Sequence, residues 1–150
     1  MYLQILIVST PPNLIECADC LCLASRRAAR QITRVYDREL RPYRLRVTQF
    51  TILAMLSLRG AMTIGELAEA LGAERTTLTR NLALIEAESW VQIQPAEEDA
   101  RSRVLTVTDK GRAVVAEAFP AWRKAQDLIT EAIGADGASA LRGLSRAALL

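Results

Sequence analysis

Arg75, Thr76, Thr77, Thr79 and Arg80 crowd into six consecutive positions, followed by the apolar Leu82 and Ile85. Arginine can pair bidentately with guanine. Threonine can offer a hydroxyl to a phosphate or a methyl group to thymine. Small and polar side chains at the front of a helix also let its backbone approach a base edge. A second group lies at Glu97-Glu-Asp-Ala-Arg101, with Arg103 just beyond. A cation at a hairpin tip can enter a minor groove, where the potential is most negative. Arg101 is placed for that, Arg103 sits at the hairpin base, and Asp99 would orient the Arg101 guanidinium. The plainer alternatives are a solvated helix face and a surface ion pair. Such a pair contributes only about 0–1 kcal/mol.

The elements around these residues decide between the readings. Thr63 with Glu66 forms a capping box for a short helix that Gly72 ends. A second helix runs from about Glu74 to Glu88. Its Leu78, Leu82 and Ile85, at i, i+4 and i+7, should face the core and turn Arg75, Thr76, Thr79, Arg80 and Ala83 outward. Val91 to Gln94 and Arg103 to Val107 alternate as strands do. Helix, tight turn, helix, strand, charged tip and strand is the outline of a winged helix-turn-helix, which holds one helix where it can enter a major groove.

Outside this middle, apolar and small residues at spacings of three and four predict one long amphipathic helix from Leu14 to Leu40, stopped by Pro42. Thr48 is expected to cap the next helix, Gln49 to Leu58, closed by Gly60. Thr108-Asp109 opens a long helix to about Ile133, with a bend at Pro120 and a stop at Gly134. A last helix spans about Asp136 to Leu149. The expected fold is mainly α with a small β-hairpin wing (α+β). Residues 1–13 form an arm, 14–46 and 108–150 supply dimerisation helices, and 47–107 form the winged helix-turn-helix lobe. Terminal helices rich in Ala and Leu need a partner to bury their stripes, and a homodimer is the economical answer.

Composition narrows the function. The chain has 150 residues, 51% of them hydrophobic, and a net charge of only +2. The charge is unevenly placed. From Cys22 to Arg46 there are eight arginines against Asp37 and Glu39. The absence of histidine removes Ser-His-Asp and Cys-His catalysis and His-based zinc sites. With no Gly-rich phosphate loop and no paired-acid pocket, an enzyme is not expected. Nor is a cofactor. Three cysteines, Cys17, Cys20 and Cys22, make no disulfide framework, and with no fourth cysteine no metal site within one chain is expected. The apolar start, Met1 to Val8, is too short to span a bilayer. A cytoplasmic, reduced protein without membrane attachment is expected.

Four runs carry a family resemblance: Gly65-Glu-Leu-Ala-Glu-Ala-Leu-Gly72, Thr76-Thr-Leu-Thr-Arg-Asn-Leu82, Asp99-Ala-Arg-Ser-Arg103 and Leu105-Thr-Val-Thr-Asp-Lys-Gly111. With Arg41-Pro-Tyr-Arg-Leu45 before Gln49-Phe50, they resemble the MarR family of transcriptional regulators over about residues 14–148. The resemblance implies a homodimer on double-stranded DNA, bound at a pseudo-palindromic operator. Recognition helices would occupy successive major grooves, wings would reach minor grooves, and terminal helices would form the dimer. Two departures stand out. Arg44 and Ser89 occupy positions where the family commonly has glycine. If either needs a positive φ, it costs about 1 kcal/mol.

The resemblance also implies a signal. Relatives release DNA when a small aromatic acid binds or when a cysteine is oxidised. A repressor released by an aromatic or phenolic acid is the leading expectation. By position, Tyr36, Tyr43, Phe50, Phe119 and Trp122 are candidates for its pocket, although aromatics at helical spacing are commonly core. Cys22 and Tyr36 are similar in spacing to the hydroperoxide-sensing branch, with Val47 where a second tyrosine would stand and no resolving cysteine in the C-terminal half. The plain alternative for Cys22 is a small buried helix residue. The arginine-rich face of the first helix could bind an acidic effector, form ion pairs or lie near DNA phosphate. A winged helix used only for protein contacts is the rival from another class.

Overall fold

A computed structural model describes residues 16–96 and 102–147. Asp99, Arg101 and the arm of residues 1–13 lie outside the described residues. Backbone contacts divide the chain between Ile32 and Thr33. The first unit contains a 3-10 turn, Glu16–Asp19, and the exposed opening turns of α1 (Leu21–Leu40). The second holds the end of α1, then α2 (Val47–Arg59), β1 (Met62–Thr63), α3 (Ile64–Leu71), α4 (Arg75–Ala87), β2 (Val91–Pro95), β3 (Arg103–Val107) and α5 (Asp109–Arg146).

The first helix begins later than its apolar spacing suggests. The amide of Cys20 bonds back three residues to the Cys17 carbonyl, and regular helix starts only beyond it. Spacing of three suits a 3-10 turn as well as an α-helix, so periodicity does not register the change. The start of α2 also differs. Thr48 lies inside the helix rather than capping it. Asp37 Oδ1 accepts the Val47 amide at 2.8 Å, and Gln49 Oε1 accepts the Arg46 amide at 3.0 Å. A carboxylate from the preceding helix has taken the capping role that local sequence assigned to threonine.

The Thr63–Glu66 capping box forms as expected. The Thr63 hydroxyl accepts the Glu66 amide at 3.2 Å, and Glu66 Oε2 accepts the Thr63 amide at 2.7 Å. That backbone hydrogen bond, and a second from the Thr63 hydroxyl, hold the Glu66 carboxyl below its usual range. Beyond Thr108, which caps α5, the backbone leaves helical angles at Gly134 (φ 74°) and not at Pro120. Pro120 removes the bond to the Ala116 carbonyl, but both residues are exposed, so water can satisfy that oxygen.

The sheet has the order β1-β3-β2 and is antiparallel throughout. Its register sets Val91 opposite Val107, with Met62 and Ile93 both opposite Leu105. Facing residues in antiparallel strands share a face, so these five form the inner surface. They pack with Leu40, Phe50, Leu53, Leu56, Leu67, Leu78, Leu82 and Ile85 in one core that extends to Ala118 of α5. The two-residue β1 escaped the strand pattern because it is too short to alternate.

Both departures from glycine fall on left-handed backbone: Arg44 has φ 58° and Ser89 has φ 61°. Ser89 closes α4 in a Schellman turn, its amide bonding to the Glu86 carbonyl and that of Trp90 to the Ile85 carbonyl. The same turn closes α3 with Gly72 at φ 57°. One motif thus occurs twice, once relaxed and once strained. Ser89→Gly should raise stability by about 1 kcal/mol, or roughly 2–4 °C in Tm. Arg44→Gly should do the same. Thermal melts that do not rise for either variant would show the turns to be unstrained.

Candidate nucleic-acid interface

α4 turns its polar residues outward because three of its apolar ones face the core. Leu78, Leu82 and Ile85 are buried, whereas Arg75, Thr76, Thr77, Thr79, Arg80 and Ala83 are exposed. At about 100° per residue, Thr76 and Arg80 form the ridge opposite the buried face. Arg75 and Thr79 form one flank, and Thr77 with Asn81 the other. The Thr79 hydroxyl donates to the Arg75 carbonyl at 2.8 Å, so its methyl and lone pairs are what it presents outward.

The wing-side flank is shaped by other elements. Arg75, Thr79, Ser102 and Arg103 line one depression with Thr63, Ile64 and Gly65, at the start of α3, with a volume of about 540 Å³. A Cβ on Gly65 would stand 3.4 Å from the Arg75 guanidinium, an ordinary contact distance, so that side chain passes close to the start of α3. Two arginines distant in sequence thereby meet over one concave surface, a suitable cradle for phosphate oxygens. Sequence reasoning found Arg75, Thr79 and Arg103, but not Ile64, Gly65 or Ser102. The capping box at Thr63 was the signal that fixes where Gly65 must sit.

The α4 end of the interface is anchored on α5. The Thr108 hydroxyl donates to the Ser89 carbonyl at 2.8 Å and accepts the Gly111 amide at 3.0 Å. The Thr108 amide bonds to the Trp90 carbonyl at 3.0 Å, and Lys110 Nζ to the Glu88 carbonyl at 2.8 Å. The carbonyls that end α4 are therefore satisfied by the residues that begin α5. The orientation of the exposed helix is coupled directly to the longest helix of the chain.

Four of the five aromatic candidates come together. The Trp122 ring stacks on Tyr36, Phe50 and Phe119 with centroids 6.3, 6.0 and 5.5 Å apart. Tyr43 is half-buried against the core, outside that stack. The Tyr36 hydroxyl donates to Gln126 Oε1. Burial pushes its pKa up from the usual value, with the positive charge of Arg142 opposing. Cys17, Cys20 and Cys22 are free and exposed. No helix among the described residues is long and apolar enough to cross a membrane.

The comparisons with known proteins point one way. The MarR family model matches residues 45–102. The chain is 34% identical over 92 residues to the HTH-type transcriptional regulator PecS of Dickeya dadantii, an alignment covering 59% of this chain and 55% of PecS. It therefore spans little more than half of that relative. The multiple antibiotic resistance protein MarR of Salmonella typhimurium is 28% identical over 114 residues, covering 74% and 78% of the two chains. Among solved structures, the transcriptional regulator MosR of M. tuberculosis in complex with DNA is 40% identical, with a TM-score of 0.73. The match covers 87% of this chain and 99% of that one.

Proposed function

We propose, from the premise that this chain belongs to the MarR family, that it is a DNA-binding transcriptional regulator acting as a homodimer and repressor. The observation that carries the reading is the exposed face of α4. It presents Thr76 and Arg80 on its ridge and joins Arg75 to Arg103 across the depression on its wing side. The ridge enters a major groove and reads bases. Arg75 and Arg103 hold the backbone beside it. MosR, in complex with DNA, supports the partner.

Pairing follows from the terminal helices. Leu21 and Leu23 of α1, and Leu128, Ile133, Leu141 and Leu144 of α5, are all exposed. A second copy would cover such surface. Two-fold symmetry then places the half-sites about one helical turn apart. The effector is a small aromatic acid acting at the Trp122 stack. A shift of α5 there would pass through Thr108 and Gly111 into α4, changing the spacing of the two reading helices.

Affinity for duplex DNA should fall steeply and linearly on a log–log plot against salt, with a slope of about −0.9 per phosphate neutralised. A flat line would instead leave the winged helix as a protein-contact module. For the signal, an aromatic acid such as salicylate should raise the melting temperature and release DNA. Release by organic hydroperoxide, abolished in Cys22→Ser, would move the signal to the thiol.

A further inference from the structure

α4 has a second flank, turned away from the wing. Thr77 and Asn81 lie there, about 200° around the helix from Arg75 and Thr79. They share a depression with Val47 and Thr48, and the Thr48 hydroxyl bonds to Asn81 Oδ1 at 3.3 Å. The first turn of α2 therefore stands beside the reading helix. Just before that turn, Arg44 and Arg46 line a cleft of about 430 Å³ together with Arg34, Arg38 and Arg41.

Five arginines line this cleft with one acidic residue, Asp37, and its carboxylate is already committed. Its Oδ1 accepts the Val47 amide and its Oδ2 pairs with Arg46 at 3.1 Å. Arg38 is taken by Glu39 at 2.9 Å, which also holds Lys124 at 2.9 Å. Among the described residues, Arg34, Arg41 and Arg44 have no carboxylate within ion-pair distance. Arg44 adds a second observation. It keeps a side chain at φ 58°, where glycine would be unstrained, at a position that lines the cleft. Strain retained at one position, beside unneutralised charge, fits a binding role.

We propose that this cleft grips DNA phosphates on the edge of the major groove opposite the wing. The proposal rests on the DNA-binding reading above. A helix seated in a groove about 12 Å wide has a phosphate strand on each side. Arg75 and Arg103 serve one strand, while Arg34, Arg41 and Arg44 serve the other. Guanidinium forks match phosphate oxygens in pairs. Interactions of this kind fix register without reading sequence.

The test is fluorescence anisotropy of a mixed-sequence duplex about three helical turns long, titrated between about 50 and 200 mM salt. Wild type is compared with Arg44→Gly, Arg44→Lys and the double variant Arg41→Ala/Arg44→Gly. The double variant should show a slope shallower by about 0.9 for each phosphate it no longer neutralises, with similar weakening on every sequence. Arg44→Lys should largely retain the wild-type slope. Arg44→Gly should bind more weakly while melting higher, two effects that impaired folding cannot combine. A steep wild-type slope left unchanged in the double variant overturns the proposal and leaves the function intact. A flat wild-type line overturns the function, and the proposal with it. A changed oligomeric mass in the double variant would make the cleft a subunit interface. Stabilisation by inorganic pyrophosphate, abolished in the double variant whose DNA slope is unchanged, would make it a small-anion site. Either result also overturns the proposal.

Discussion

Gly111→Ala is expected to destabilise the protein at the top of the overpacking range, about 3 kcal/mol, and to lower its melting temperature by several degrees. A Cβ at this position would lie 2.2 Å from the Trp90 carbonyl oxygen and 2.9 Å from Val107 Cγ2. The carbonyl is the decisive neighbour. A side-chain methyl can rotate away, but the Trp90 oxygen is held by the Thr108 amide at 3.0 Å. Moving it breaks the junction between the end of α4 and the start of α5. Val107→Ala removes the lesser clash only, so it should not rescue the variant. Gly143 is the contrasting site, with nothing within 4 Å of its would-be Cβ. Gly143→Ala should gain up to about 1 kcal/mol from helix propensity. Chemical denaturation of the two variants checks both signs. If Gly111→Ala melts like wild type, the junction is looser than its geometry indicates.

That junction also shows what could be read from sequence and what could not. Thr63 with Glu66, Gly72, and Thr108 before Asp109 are local signals, complete within four residues, and each forms the cap expected of it. The left-handed angles at Arg44 and Ser89 were legible only through the family pattern, since arginine and serine do not announce a positive φ. The closeness of Gly111 to Trp90 was not legible at all. It depends on how the end of α4 meets the start of α5, twenty-one residues away along the chain, and a glycine in a first helical turn looks like any other.

The same division runs through the interface. Leu78, Leu82 and Ile85 sufficed to orient α4, because their spacing defines the buried face and hence its opposite ridge. The meeting of Arg75 with Arg103 needed the sheet. Short β1 pairs with β3 and brings the start of α3 beside the base of the wing. The start of α2 was misplaced for a related reason: its capping carboxylate, Asp37, belongs to another helix. Local chemistry sets caps and faces. Contacts between elements set which arginines share a surface.

Arg80→Ala is expected to weaken binding to the preferred operator by roughly tenfold to a hundredfold, while affinity for mixed-sequence duplex falls far less. Arg80 shares the exposed ridge of α4 with Thr76, and among the described residues no carboxylate pairs with it. Its guanidinium can therefore reach a base edge without first breaking an ion pair. A bidentate contact to guanine carries about 1–3 kcal/mol of discrimination, the origin of the expected factor. Removing an exposed side chain of this kind should change stability by no more than about 0.5 kcal/mol. The operator for the measurement is selected from a random duplex pool with the wild-type protein, and one base pair should then lose its preference in a pool selected with the variant. Equal weakening on both duplexes would make Arg80 a phosphate ligand. Unchanged operator affinity would take the ridge out of the groove, leaving the two arginine-lined flanks as the whole of this helix's hold on DNA.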